Sequence, residues 1–321
     1  MRTAISYHRL ATERANRASR DLDRLGARAI AALMNREDAR AVRAVGRVGR
    51  DIAAAVDLIV PALRGGGRLF FVGAGTSGRL GILESAECPP TFGTPPARVQ
   101  AIMAGGRASV FRSREGAEDD AGAAARAVRA RVRAGDVVVG VSASGVTPFV
   151  RSALMAARGR GAATVLVACN AVTKGAAGAD VVIAPAPGPE VLAGSTRLKA
   201  GTATKLVLNT LTTASMVRLG KVYGNRMVDL QPRSRKLRAR AQRLVEELAA
   251  VTTAEARQAL RAARGHARLA IVIARTGLPA AAAARVLRAH GHSLREALAA
   301  AGRDGLARST RRKSSARPRR R

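Results

Sequence analysis

Aromatic side chains are nearly missing from this 321-residue chain, which has five Phe, two Tyr and no Trp. A core without them has to be built from Ala, Val, Leu and Ile, and the stacking platforms of a single-strand nucleic-acid binder are lacking. Cysteine is equally scarce. Cys88 and Cys169 are too few for a disulfide framework, and His8, His266, His290 and His292 form no zinc-like spacing with either. No apolar run approaches the roughly 20 residues that span a bilayer. The opening "MRTAISYHRLATERANR" has no apolar stretch of the secretory kind. The expectation is a soluble, cytoplasmic protein with one large domain and a small one.

Lysine is the third shortage. Lys occurs six times among 56 basic residues, so Arg supplies the rest of a net charge of +34. Such a charge fits a polyanionic partner. An Arg- and Ala-rich, Lys-poor surface also arises from biased codon usage, and that reading is preferred. The tail "RSTRRKSSARPRRR" (308–321) carries eight bases and no acid. It is expected to be disordered, and nucleic-acid contact is expected only through it.

What is present is a regular alternation. Residues 10–35 read as helical, and 37–64 repeat apolar positions at three and four, predicting one long amphipathic helix stopped by "GGG" at 65–67. Short apolar runs follow in "RLFFVGAG", "VQAIMAGG", "DVVVGVSASG", "AATVLVACN" and "ADVVIAPAPGPE". Helical stretches lie between them, including one over 77–86 and one over about 200–220. Buried strands alternating with helices predict an α/β fold, a parallel sheet covered on both faces. Beyond about 235 the pattern is helical only, with three helices expected.

The first strand ends in G-x-G-x-x-G at Gly73, Gly75 and Gly78. A dinucleotide site also needs an acid about 20 residues on, at the end of the next strand, and "IMAGG" has none. A second loop, "VSASGVTP", offers Ser142, Ser144 and Thr147 beside Gly145, much as Thr76 and Ser77 follow Gly75. Hydroxyls with free backbone N–H groups at helix starts bind anions. Helix capping is the alternative for either loop alone. Two such loops at strand ends favour one phosphate and a sugar's hydroxyls.

These loops resemble those of sugar isomerase (SIS) domains, which bind phosphosugars. The stretches "TERANRASRDLDRL", "GAGTSGRLGILESAECPPTFG", "EGAEDD", "SASGVTP", "GSTRLKAGTATKLVLN" and "GKVYGNRMVDL" together resemble the N-acetylmuramic acid 6-phosphate etherases, over about residues 12–300. The glucokinase regulatory protein shares the SIS-type segments. Glu84 and Val146 depart from the family's usual residues.

The resemblance implies a three-layer sandwich with a parallel sheet and a small C-terminal helical domain, assembled as a homodimer. It divides the chain into a helical segment (1–48), an SIS phosphosugar-binding domain (49–235), a small helical domain (236–302) and a basic tail (303–321). It also implies a lyase that removes the D-lactyl group by elimination and then hydration, with no metal or organic cofactor. Glu87 and Glu118 match the family's two catalytic glutamates. Glu87 is assigned as acid for the leaving lactate and Glu118 as base at C2. Ser195, Thr196 and Lys199 form a third candidate loop. Lys199 is expected on the phosphate or the lactyl carboxylate, and Glu190 is a lesser candidate. Cys88 has no nearby His to activate it and is read as packing. A phosphosugar-sensing regulator and an SIS-type isomerase are the alternative functions.

Overall fold

The computed structural model describes residues 10–170, 178–229 and 235–301. The basic tail and the acid-free "RSTRRKSSARPRRR" lie outside the described residues. The chain divides into two compact units, Met1–Cys88 with Pro95–Ser215, and Pro89–Thr94 with Met216–Arg321.

In the first unit, three short 3-10 turns at Ala11–Glu13, Arg17–Ser19 and Leu22–Arg24 precede α1 (Ala27–Gly46) and α2 (Gly49–Arg64). Two expectations are corrected here. Residues 10–25 are not a regular helix, because Asn16 turns its side chain onto the Ala18 N–H and interrupts the pattern. The single helix over 37–64 is two, broken at Arg47–Val48, between Gly46 and Gly49.

The five expected strands form. They are β1 (Leu69–Gly73), β2 (Val99–Met103), β3 (Val137–Val141), β4 (Ala163–Val167) and β5 (Val181–Ile183). They make one sheet in the order β2-β1-β3-β4-β5, and every neighbouring pair is parallel. The connecting helices are α3 (Gly75–Phe92), α4 (Ala108–Phe111), α5 (Ala121–Arg131), α6 (Pro148–Arg158) and α7 (Lys199–Arg218). Even-numbered strand residues Phe70, Val72, Val138 and Leu166 form one core with Val128 of α5 and Val150 and Leu154 of α6. The opposite face carries α2, which packs on β3 and β5, and α3, whose Gly81 lies against Phe71. Helices on both faces are what a sheet of near-continuous apolar strands requires.

At the N-terminal edge of the sheet, Asp136 is buried and accepts from the Arg68 guanidinium at 2.6 Å and from the Arg68 and Arg133 backbone N–H groups. Burial pushes its carboxyl up, but those bonds prevail and hold it below the usual carboxylate range.

The second unit holds a two-stranded antiparallel hairpin, β6 (Val222–Tyr223) and β7 (Arg226–Met227), that the sequence reading missed. Then come α8 (Arg235–Ala249), α9 (Thr253–Ala262), α10 (Ala267–Thr276) and α11 (Ala280–Ala289). α9 and α10 are separate helices because Arg264 and Gly265 turn the chain, Arg264 with φ of 52°. Ala256, Ala259, Ile271, Val272 and Leu287 form the core of this unit. Among the described residues no single helix is long and apolar enough to cross a membrane.

Candidate functional site

The strand order reverses between β1 and β3, the position at which open α/β sheets bind ligands beyond the strand ends. Gly73 of β1 is paired with Met103 of β2 on one side and Val141 of β3 on the other. The glycine loop and the hydroxyl loop therefore leave the sheet side by side.

The glycines have packing reasons. A Cβ on Gly78 would stand 2.6 Å from the Gly73 carbonyl oxygen, and one on Gly73 would stand 2.7 Å from the Gly78 nitrogen. Only bare Cα atoms let the end of β1 and the first turn of α3 approach this closely. Thr76 and Ser77 lie in that first turn, both half-buried. The helix starts at Gly75 and runs to Phe92, beyond the expected 77–86 at both ends and through Pro89 and Pro90.

In the second loop the three hydroxyls gather. Ser142 Oγ shares hydrogen bonds with Thr147 Oγ1 at 2.8 Å and with Ser144 Oγ at 3.2 Å, and Ser144 and Thr147 lie 3.4 Å apart. The Gly145 N–H donates to Ser142 Oγ at 3.1 Å. Thr147 occupies the N-cap position of α6 but makes no capping bond. Capping alone therefore does not explain this cluster. Rotatable hydroxyls can turn their protons to an incoming anion.

The third loop reaches the same place through the start of α7. A Cβ on Gly201 would come within 3.8 Å of Thr76 Cγ2. Ala143, Cys169 and Ala200 share one small apolar cluster. Ser195 and Thr196 are half-buried in the turn before α7.

Lys199 is different, and here the expectation is corrected. Its side chain is 1% exposed, and Nζ donates to Glu37 Oε2 at 2.7 Å. Glu37, 2% exposed, also accepts from Asn16 Nδ2 at 2.8 Å and pairs with Arg40 at 3.0 Å. Burial raises the Glu37 carboxyl, but the Lys199 and Asn16 bonds and both cations leave it lowered. The Lys199 ammonium is thus an internal partner, not a free ligand for phosphate or carboxylate. Glu190 is also engaged: it is fully buried and accepts from the backbone N–H groups of Lys199 and Ala200 at 2.8 and 2.9 Å. A carboxylate there satisfies the orphan donors of the α7 N-terminus. Burial outweighs those bonds and raises its carboxyl above the ordinary value.

The two catalytic candidates occupy different surroundings. Glu118 is exposed and lines a cavity of about 180 Å³ together with Gly75, Arg79, Met103, Ser109, Arg114 and Glu115. Arg79 Nε donates to the Val110 carbonyl at 2.9 Å and Nη2 to the Ser109 carbonyl at 3.0 Å. Glu87 is exposed on α3 and does not line that cavity. Twelve residues separate it from Gly75, about 18 Å along a helix axis. Glu87 and Glu118 therefore do not share that cavity.

Sequence reasoning missed Glu84, Lys205 and Arg79. Glu84 is buried one turn before Glu87 and accepts from Lys205 Nζ at 3.1 Å and from Thr212 Oγ1. The i, i+3 spacing from Glu87 was the available signal. Cys88, beside Glu87, is buried, and burial first, then Glu84 and Glu87, push its thiol up to about 12. It is no nucleophile at neutral pH, as its reading as packing requires. Among the described residues, no three His, Cys, Asp or Glu gather as metal ligands do.

Two hydroxyl-bearing loops at the switch point of a doubly wound parallel sheet define an α/β class whose ligands bind beyond the strand ends. In agreement, the family model for the glucokinase regulatory protein N-terminal SIS domain matches residues 51–158. Full-length relatives narrow the class. The N-acetylmuramic acid 6-phosphate etherase of Synechocystis sp. is 48% identical over 91% of this chain and 96% of that protein. Those of Mycolicibacterium smegmatis and Gloeobacter violaceus are 50% and 51% identical, over 98% and 95% of their lengths. The chain belongs to the N-acetylmuramic acid 6-phosphate etherase family. Among solved structures, phosphoheptose isomerase from Neisseria gonorrhoeae overlays 59% of this chain and 98% of that one, with a TM-score of 0.45 and 22% identity.

Proposed function

We propose that the protein cleaves the D-lactyl ether of N-acetylmuramic acid 6-phosphate, releasing D-lactate and N-acetylglucosamine 6-phosphate. The observation that carries the reading is identity near one half with etherases over nine-tenths of the chain. In the open-chain sugar, C2 adjoins the aldehyde, so its proton is acidic enough for a carboxylate to remove. Lactate then leaves from C3 and water adds back. A base at C2 and an acid at the ether oxygen are needed, in different protonation states near neutral pH.

Glu118 serves as the base and Glu87 as the acid in this reading. The position of Glu118 in the cavity at the start of α3 supports the first role. Ser142, Ser144 and Thr147, with Thr76 and Ser77, hold the phosphate, and Ser195 and Thr196 hold sugar hydroxyls. The mutual bonding of the Ser142 cluster supports the phosphate assignment. The protein works as a homodimer in the cytoplasm. The exposure of Glu87, outside the Glu118 cavity, and of Leu83, 43% exposed one turn before it, supports a second copy seated there. A sensor without turnover would need neither glutamate.

The test is to incubate pure protein with N-acetylmuramic acid 6-phosphate and assay D-lactate. Stoichiometric lactate and N-acetylglucosamine 6-phosphate are expected. Binding of the sugar phosphate with no lactate would defeat the reading.

A further inference from the structure

We infer that Arg79 is the cation that receives the lactyl carboxylate, in the cavity it shares with Glu118; the inference rests on the lyase reading above. The substrate carries two anions. The hydroxyl cluster serves the phosphate, and the carboxylate needs a cation of its own. Lys199 is sealed against Glu37. Lys205 is engaged by Glu84 and by Asn209. Arg79 remains within the wall of the Glu118 cavity, together with the exposed Arg114.

The geometry of Arg79 suits the task. Its Nε and Nη2 are held by the carbonyls of Val110 and Ser109, which fixes the plane of the guanidinium. Nη1 has no hydrogen bond among the described residues. An arginine anchored along one edge presents a fixed fork to a carboxylate, with little rotamer freedom left to lose. Ser109, on the same wall, has a buried hydroxyl with no partner among the described residues, and such donors are normally satisfied. The placement also fits the substrate. The lactyl group is attached at C3, one bond from the C2 proton, so its cation and the C2 base have to share one cavity. Arg79 and Glu118 do.

Phosphate would be bound by the same chemistry, and the product separates the two. N-acetylglucosamine 6-phosphate keeps the phosphate and the C2 proton and lacks the lactyl group. Two reactions are followed in wild type, Arg79→Gln and Arg79→Lys. One is lactate release from N-acetylmuramic acid 6-phosphate; the other is solvent-deuterium exchange at C2 of N-acetylglucosamine 6-phosphate. For Arg79→Gln, kcat/KM for lactate release is expected to fall about 10- to 100-fold, the loss of a charged hydrogen-bonded pair. Exchange is expected to stay near wild type, which also shows that the fold and Glu118 are intact. Arg79→Lys, which keeps the charge without the fork, is expected to fall between. Exchange and lactate release lost together would overturn the inference and assign Arg79 to the phosphate or to holding the loop. Undiminished lactate release in Arg79→Gln would overturn it as well. Wild type that releases no lactate would defeat the lyase reading itself, before any substitution is compared.

Discussion

Replacing Lys199 by Met separates a structural cation from a ligand. The Lys199–Glu37 pair is 2.7 Å long with both side chains almost fully buried. Removing one member of a buried pair leaves the other charge without compensation, at a cost of about 3–5 kcal/mol. Glu37 would keep Asn16 and the exposed Arg40, so about 3 kcal/mol is the better figure. At 2–4 °C per kcal/mol in domains of about 150–250 residues, the melting temperature of Lys199→Met is expected to fall by roughly 6–12 °C. Adding Glu37→Gln removes both charges while retaining an acceptor for Asn16, and the double variant is expected to recover most of the loss. Urea and thermal denaturation, read by circular dichroism, measure both. A Lys199→Met protein with wild-type stability and a large rise in KM would refute the reasoning and return Lys199 to the substrate.

Glu87→Gln and Glu118→Gln are each expected to lower lactate release by about 100- to 10,000-fold while the product still binds; wild-type turnover in either variant removes that residue from the mechanism. Ser142→Ala and Ser144→Ala are expected to raise KM for the phosphorylated sugar about 10- to 100-fold, as lost hydrogen bonds to an anion do, and equal affinity for phosphorylated and unphosphorylated sugar would sink the phosphate assignment. Asp136 has a folded-state carboxyl below its ordinary value, so its contribution is full above the unfolded value of about 3.9 and is lost as pH falls from there through the folded value. Asp136→Asn is therefore expected to cost roughly 2 kcal/mol at pH 7 and to flatten the acid limb of a melting-temperature profile below about pH 4; an unchanged limb there would show that Arg68 contributes nothing through this pair.

The five strands were legible because each is a short apolar run closed by Gly, Ala or Asn, and because a sheet covered on both faces needs no alternation. The adjacency of β1 and β3, which brings the two ligand loops together, is a pairing between distant segments that no local pattern carries. Two breaks had signals that periodicity overrode. Gly46 and Gly49 flank the break between α1 and α2, and Gly224–Asn225 is a two-residue hairpin turn. The hydroxyl cluster was legible from composition and position. Lys199 was misread because its partner, Glu37, lies 162 residues earlier, inside a charged stretch that looks like solvated helix surface. Arg79 was hidden among so many arginines, and its place in the wall of the Glu118 cavity, which no local pattern carries, sets it apart.

The most direct measurement of the central claim follows oxygen. With the reaction run in H₂¹⁸O, elimination and then hydration is expected to place the label on C3 of N-acetylglucosamine 6-phosphate and to leave D-lactate unlabelled. Label in the lactate instead would mean that water attacks the lactyl carbon directly, which contradicts a lyase and leaves the Glu118 base at C2 without a role.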